Sequence, residues 1–196
     1  MDCELVERAR AGEREAFASI VDAAFDRSFE IARRILGETY LAQDATQQAM
    51  LSIWRDLPKL RDTARFDAWS YRIVVNACYA EAARARRALP DLHRRDTSAM
   101  VTPGAFQAVL DRDQLERAFA RQKLEHRAVL VLRYYLDLPI EEVADSLDIP
   151  VGTAKSRIHH ALRAMRATLD ADLRPPSGGA GVMNELTSSR AGQGTP

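Results

Sequence analysis

The chain has little of what builds cross-links, sheets or catalytic loops. It holds two cysteines in 196 residues, Cys3 and Cys78. They are too few and too far apart for a disulfide framework or a CxxC zinc site, so two reduced thiols in a cytoplasmic protein are expected. No apolar run approaches the ~18 residues of a membrane span. The first apolar residues are interrupted by Glu4, Glu7, Arg8 and Arg10, so no signal peptide is expected, and the chain is read as soluble and cytoplasmic. The four histidines (93, 126, 159 and 160) fall into no nucleophile, metal or phosphate-loop arrangement, and no glycine-rich cradle is present. Neither enzymatic chemistry, a cofactor nor a bound metal is therefore expected. Strand-like alternation is also missing, and aromatics make up only 7%.

An excess of either charge is missing as well: 28 basic residues balance 28 acidic ones. The balance conceals segregation. The span Arg121–Asp148 carries four basic and six acidic residues, whereas Val151–Arg166 has Lys155, Arg157, Arg163 and Arg166 and no acid. Arg84, Arg86 and Arg87 form a second basic cluster. A chain that keeps one face positive and lets others be negative can bind nucleic acid at zero net charge.

What is abundant is helical patterning. Phe17, Ile20, Val21, Ala24, Phe25, Ser28, Phe29, Ala32 and Ile35 recur in steps of three and four, a single stripe of a long helix closed by Gly37. A second helix is expected from about Tyr40 to Leu57, stopped by Pro58, with Ala45, Ala49, Ile53 and Trp54 along one side. A third, from about Phe66 to Arg87, carries Trp69, Ile73, Ala77 and Ala80 inward. After an aperiodic stretch with Pro90, Pro103 and Gly104, patterning resumes at Gln114–Ala120 and Glu125–Leu136. The expected fold is all-α: two small helical domains, 1–88 and 112–173, joined by a flexible linker, 89–111. Glycine, serine and proline gather in 174–196, which reads as a disordered tail.

Residues 139–167 read as a helix-turn-helix. Pro139 opens a helix whose first turn holds Glu141 and Glu142, favoured by the helix dipole. Val143, Ala144 and Leu147 face inward, and Ile149 plugs the turn. The second helix begins near Thr153 and buries Ala154, Ile158, Ala161 and Leu162. This leaves Lys155, Ser156, Arg157, His159 and His160 on or near the outward side, as in a helix that enters the major groove. A solvated basic helix of an ordinary bundle is the plainer alternative. The adjacent His159 and His160 lack the i, i+4 spacing of a helical zinc pair.

The segment "DIPVGTAKSRIHHALRAMRATL" resembles region 4 of the extracytoplasmic-function (ECF) sigma factors, small bacterial initiation subunits with two structured domains. The stretches "AFASIVDAAFDRSFEIARRILG", "QDATQQAMLSIWRDLPKL" and "RFDAWSYRIVVNACYAEAARARR" resemble their region 2, in the same order. The resemblance implies a sigma factor that binds core RNA polymerase, melts and reads the −10 element through region 2, and reads the −35 element through region 4. It places Asp44, Gln47, Gln48 and Leu51 against polymerase, with Trp54 beside them as contact or core. Gln48 stands where the family most often has an acid. It places Arg61, Arg65, Tyr71, Asn76, Arg84, Arg86 and Arg87 at the −10 DNA, with Tyr71 and Trp69 open between core and stacking roles. Thr153, Lys155, Ser156, Arg157, His159 and His160 fall at the −35 duplex. An anti-sigma factor is an implied partner. The competing reading is a stand-alone helix-turn-helix regulator, which leaves the first module without a use.

Overall fold

The computed structural model describes residues 1–88 and 106–172, with side chains in the second span from Arg112. The expected tail, 174–196, and most of the expected linker, 89–105, lie outside the described residues. Every regular element among the described residues is helical. They are α1 (Cys3–Arg10), α2 (Arg14–Leu36), α3 (Thr39–Asp56), α4 (Phe66–Ala88), α5 (Phe106–Ala120), α6 (Leu124–Leu130), α7 (Ile140–Leu147) and α8 (Val151–Asp172). Short 3-10 turns at Leu57–Lys59 and Thr63–Arg65 join α3 to α4, and α6 runs into a π-helical turn over Val131–Tyr135.

Two elements differ from expectation. Helix α1 is additional. It is short and mostly charged, so its periodicity is faint, yet Asp2 caps it by accepting from the Glu4 amide at 3.1 Å, and it buries Val6 and Ala9. Helix α5 starts at Phe106, inside the span expected to be linker. No proline or glycine follows Gly104 before Ala120, and the backbone is free to stay helical. Gly37 ends α2 as expected, with φ 80° and its amide on the Arg33 carbonyl at 2.8 Å.

Three side chains expected inward lie outward. Phe25 is 37% exposed and Leu162 43% exposed, and Ala80 is exposed as well. Each stands at the edge of its apolar stripe, where periodicity alone does not show how far the neighbouring helix reaches.

The core has two parts. The smaller gathers Val6, Ala9, Ile20, Ile53, Leu57 and Phe66 under α1. The larger does not stop at the border between modules: Ile31, Ala32, Ile35, Val74 and Cys78 belong to the same cluster as Ala128, Val129, Leu132, Val143 and Ala154. The two groups of helices pack on each other: α4 packs on α7, and α2 packs on α6 and the π-helical turn. Polar contacts cross the same border. Arg127 Nη1 donates to the Leu36 carbonyl at 3.4 Å, and the Arg34 guanidinium lies 4.0 Å from the centre of the Tyr135 ring.

Cys78 shares this core and is fully buried, which pushes its thiol pKa up to about 12, while Cys3 is exposed. Above pH ~9, thiolate formation therefore favours the unfolded chain, since the unfolded thiol titrates first. Disulfide-exchange reagents at pH 8 should titrate one thiol per native chain and two after denaturation. Two fast thiols in the native chain would contradict the burial of Cys78.

Candidate nucleic-acid interface

Helix α8 is set by the turn before it. Asp148 adopts a left-handed conformation (φ 55°) at the end of α7, a position aspartate tolerates. The Ile149 amide returns to the Ala144 carbonyl at 3.1 Å, and the Pro150 carbonyl accepts the Thr153 and Ala154 amides at 2.9 and 3.1 Å. Thr153 thus lies inside the first turn of α8, two residues past its start, and is half-buried. Ala154, Ala161 and Met165 face the core.

Lys155, Ser156, His159 and His160 are exposed together, and the Ser156 hydroxyl donates to the Thr153 carbonyl at 3.0 Å. Arg157 is half-buried on the flank, near enough to Tyr79 and His126 for its charge to lower both their pKa values. Burial is the larger cause at each, raising Tyr79 to about 12 and lowering His126. None of Lys155, Arg157, Arg163 and Arg166 forms an ion pair with a described acid.

The second basic surface forms at the start of α4. Buried Leu57, Leu60 and Phe66 pin the loop between α3 and α4, and Asp62 accepts from the Ala64 amide at 3.0 Å to shape its 3-10 turn. Arg61, before that turn, and Arg65, its last residue, are left exposed. With Leu60, Asp62, Ala68, Trp69, Arg72 and Asp145 they line a cleft of about 220 Å³. Trp69 is half-buried, its ring centroid 5.8 Å from that of Phe66.

Asn76 is exposed further along α4, as are Arg86 and Arg87. Arg84 pairs at 2.9 Å with Glu81, an acid only 3% exposed. Tyr71 does not join this surface. It is 7% exposed, and its hydroxyl accepts from Arg27 Nη1 at 3.1 Å, so it packs as a core residue. Its place three residues before the inward Val74 accounts for this.

Helix α3 presents a different surface. Ala42, Ala45 and Ala49 are fully buried, so Asp44, Gln47, Gln48 and Leu51 form an exposed strip, with Leu51 62% exposed. Trp54 is divided between the two roles left open for it: its ring packs 4.6 Å from Phe17, yet it is 39% exposed.

Sequence reasoning missed Arg72 and its partners. Arg72 Nη2 donates to the Asp145 carbonyl at 3.0 Å and lies 3.2 Å from an Asp148 carboxylate oxygen. Arg65 pairs with the Asp145 carboxylate. The i, i+3 spacing of Asp145 and Asp148 was a signal that one helix face is acidic, but nothing local named the arginines it meets.

Residues 21–88 match the family model for Sigma-70 region 2, and residues 123–167 match that for Sigma-70, region 4. The chain is similar to the ECF RNA polymerase sigma factor SigL of Mycobacterium tuberculosis, 33% identical over 166 residues that cover 81% of this chain and 94% of that protein. It is also similar to the ECF RNA polymerase sigma factor SigW of Bacillus subtilis, 29% identical over 180 residues, covering 84% and 94%. Among solved structures, the sigma factor RpoE of Bartonella quintana, in complex with the anti-sigma factor NepR, shares the fold. Its TM-score is 0.62 at 18% identity, covering 80% of this chain and 98% of that one.

Proposed function

The chain belongs to the ECF sigma factors of bacterial RNA polymerase, and from that premise we propose how its surfaces divide the work of initiation. It binds core polymerase and directs transcription from specific promoters, with region 2 melting and reading the −10 element and region 4 reading the −35 element. We assign region 2 to 1–88 and region 4 to 112–173, with α5 reaching back to Phe106. In this reading the protein acts by binding rather than by catalysis, and its site of action is the cytoplasm.

On α3, the strip Asp44–Gln47–Gln48–Leu51 docks on polymerase. Its one carboxylate and its amides suit a basic, hydrogen-bonding partner surface, with Leu51 supplying apolar contact. Gln48 contributes a hydrogen bond but no charge, which weakens the salt dependence of that joint.

At the −10 element, unpaired bases need a pocket and their phosphates need positive charge. The cleft beside Arg61, Arg65 and Trp69 provides the first. Arg84, Arg86 and Arg87, down the same helix, provide the second, with Asn76 able to donate and accept at a base edge. Tyr71 is withdrawn from this set. At the −35 element, Lys155, Ser156, His159 and His160 face the major groove, while Thr153 and Arg157 lie toward the phosphates.

The observation that carries the reading is the basic face of α8, whose cations pair with no described acid, on the same chain as a separate cleft lined by arginines. A partner that covers these surfaces, an anti-sigma factor of the kind NepR is to the Bartonella protein, is inferred here as well.

The deciding experiment is reconstituted transcription with purified protein, bacterial core polymerase and DNA from the source genome, with transcript ends mapped. Discrete start sites that depend on the protein are expected. Binding to core without initiation would overturn the promoter-reading assignments, and no binding to core would overturn the role of α3.

A further inference from the structure

Helix α1 has no part in the division of surfaces above, yet it lies against the loop that carries Arg61 and Arg65. Val6 and Ala9 are buried in the same cluster as Leu57, Leu60 and Phe66, the residues that pin that loop. Helix α1 packs on both 3-10 turns of the loop as well as on α2. Its own position is fixed where it meets α2. Gly12 turns the chain with φ 96°, the Gly12 and Glu13 amides return to the Ala9 and Arg8 carbonyls at 3.0 and 3.2 Å, and Arg8 pairs with Glu13.

The weak point of the loop lies between its two turns. The Leu60 amide closes the first on the Leu57 carbonyl at 3.0 Å, and the Arg65 amide closes the second on the Asp62 carbonyl at 3.2 Å. The peptide from Leu60 to Arg61 enters no backbone hydrogen bond among the described residues. Burial holds the Leu60 side chain, but it leaves the ψ rotation that swings the carbonyl and the arginine after it. Arg10 closes that freedom. Its Nη1 donates to the Leu60 carbonyl at 3.1 Å, a part-buried bond across 50 residues, with Leu60 extended at ψ 114°. A charged donor makes this a strong bond, and Arg10 is itself half-buried, which limits competition from water. The Thr63 hydroxyl also donates to Glu7, but at 3.5 Å that contact adds little.

We propose that Arg10 is a positioning residue for −10 recognition, acting through the Leu60 carbonyl to fix the direction in which Arg61 leaves the loop. Leu60 and Arg61 both line the cleft, so the same bond sets the shape of one wall. Arg10 does not line the cleft; its donor lies on the carbonyl behind it. A pocket that must hold a base in one pose loses discrimination when its wall shifts. The proposal rests on assigning this cleft to the −10 strand.

The test uses the full chain at limiting concentration with bacterial core polymerase. Templates are a mapped promoter and versions of it with single base changes in the −10 or the −35 element. Arg10→Met keeps the helix and the apolar stem but removes every donor, and Arg10→Lys restores a donor. Arg8→Met makes the same charge change on α1 at a residue that pairs with Glu13 instead of the loop. Arg61→Ala alters the cleft directly. The readout is the ratio of initiation on the parent promoter to that on each altered one. A variant that is merely less stable lowers both members of the ratio equally.

Arg10→Met is expected to lower the −10 ratio at least about fivefold, the scale of one lost hydrogen bond, with the −35 ratio unchanged. Arg10→Lys should recover much of the loss, and Arg8→Met should match the wild type. A fall in Arg61→Ala but not in Arg10→Met would overturn the positioning role and leave the −10 assignment standing. Equal falls in Arg8→Met and Arg10→Met, or no recovery in Arg10→Lys, would reduce Arg10 to a support of α1 and overturn the proposal. An unchanged −10 ratio in Arg61→Ala would overturn the assignment of the cleft, and the proposal with it. A chain that starts no transcript would do the same.

Discussion

Leu132→Ala should lower the unfolding free energy by about 3 kcal/mol, read as a shift of the urea midpoint followed by circular dichroism. Leu132 is fully buried in the π-helical turn after α6 and belongs to the cluster that both modules share. Removing its side chain leaves a cavity within that shared cluster, whose helices are tied in place by several other contacts and close it only in part. The loss therefore combines transfer free energy with a cavity cost. Leu115→Ala is the matched comparison: the same atoms are removed from a side chain 49% exposed, and the change should stay within about 0.5 kcal/mol. Similar losses at the two positions would mean that the core described around Leu132 is not formed.

Lys155→Ala combined with Arg157→Ala should reduce transcription from −35-dependent promoters at least about tenfold, the equivalent of roughly 1.4 kcal/mol of lost binding. Loss of Arg157, which lies toward the phosphates, should also flatten the dependence of log affinity on log salt by about 0.9. Alanine preserves the helix, being its best former. Because neither cation forms an ion pair with a described acid, no carboxylate is left stranded. The loss is thus attributable to DNA rather than to folding. The readout is reconstituted transcription across a potassium chloride series on mapped promoters. An unchanged salt slope would place the basic face of α8 away from the backbone and sink its assignment to the −35 element.

Much of this was legible along the chain because it is local. The three-and-four spacing of apolar residues marks α2, α3 and α4, Gly37 marks a helix end, and the pattern of 139–167 marks a helix-turn-helix. Each signal lies within a few helical turns, so backbone geometry converts it directly into a face. The α3 strip came from the family resemblance, which named Asp44, Gln47, Gln48 and Leu51, and the structure leaves all four exposed beside the buried Ala45 and Ala49. Helix α1 was not legible, since two buried residues in eight make almost no period. Tyr71 was not, because its role depends on Arg27, 44 residues earlier.

By itself, then, the sequence determined an all-helical chain, two groups of helices, a basic final helix and a family. Those depend on periodicity, caps and ordered motifs, all short-range. Only the tertiary structure decided that one core runs through both groups, that Tyr71 is interior, and that Asp145 and Asp148 meet Arg65 and Arg72. The two ion pairs join residues 80 and 76 positions apart, and Tyr71 meets Arg27 across 44. An apolar stripe or an acidic face states what it must be packed or paired with, but many surfaces of the chain meet that description. Which one does so is settled when all the helices compete to bury their stripes at once.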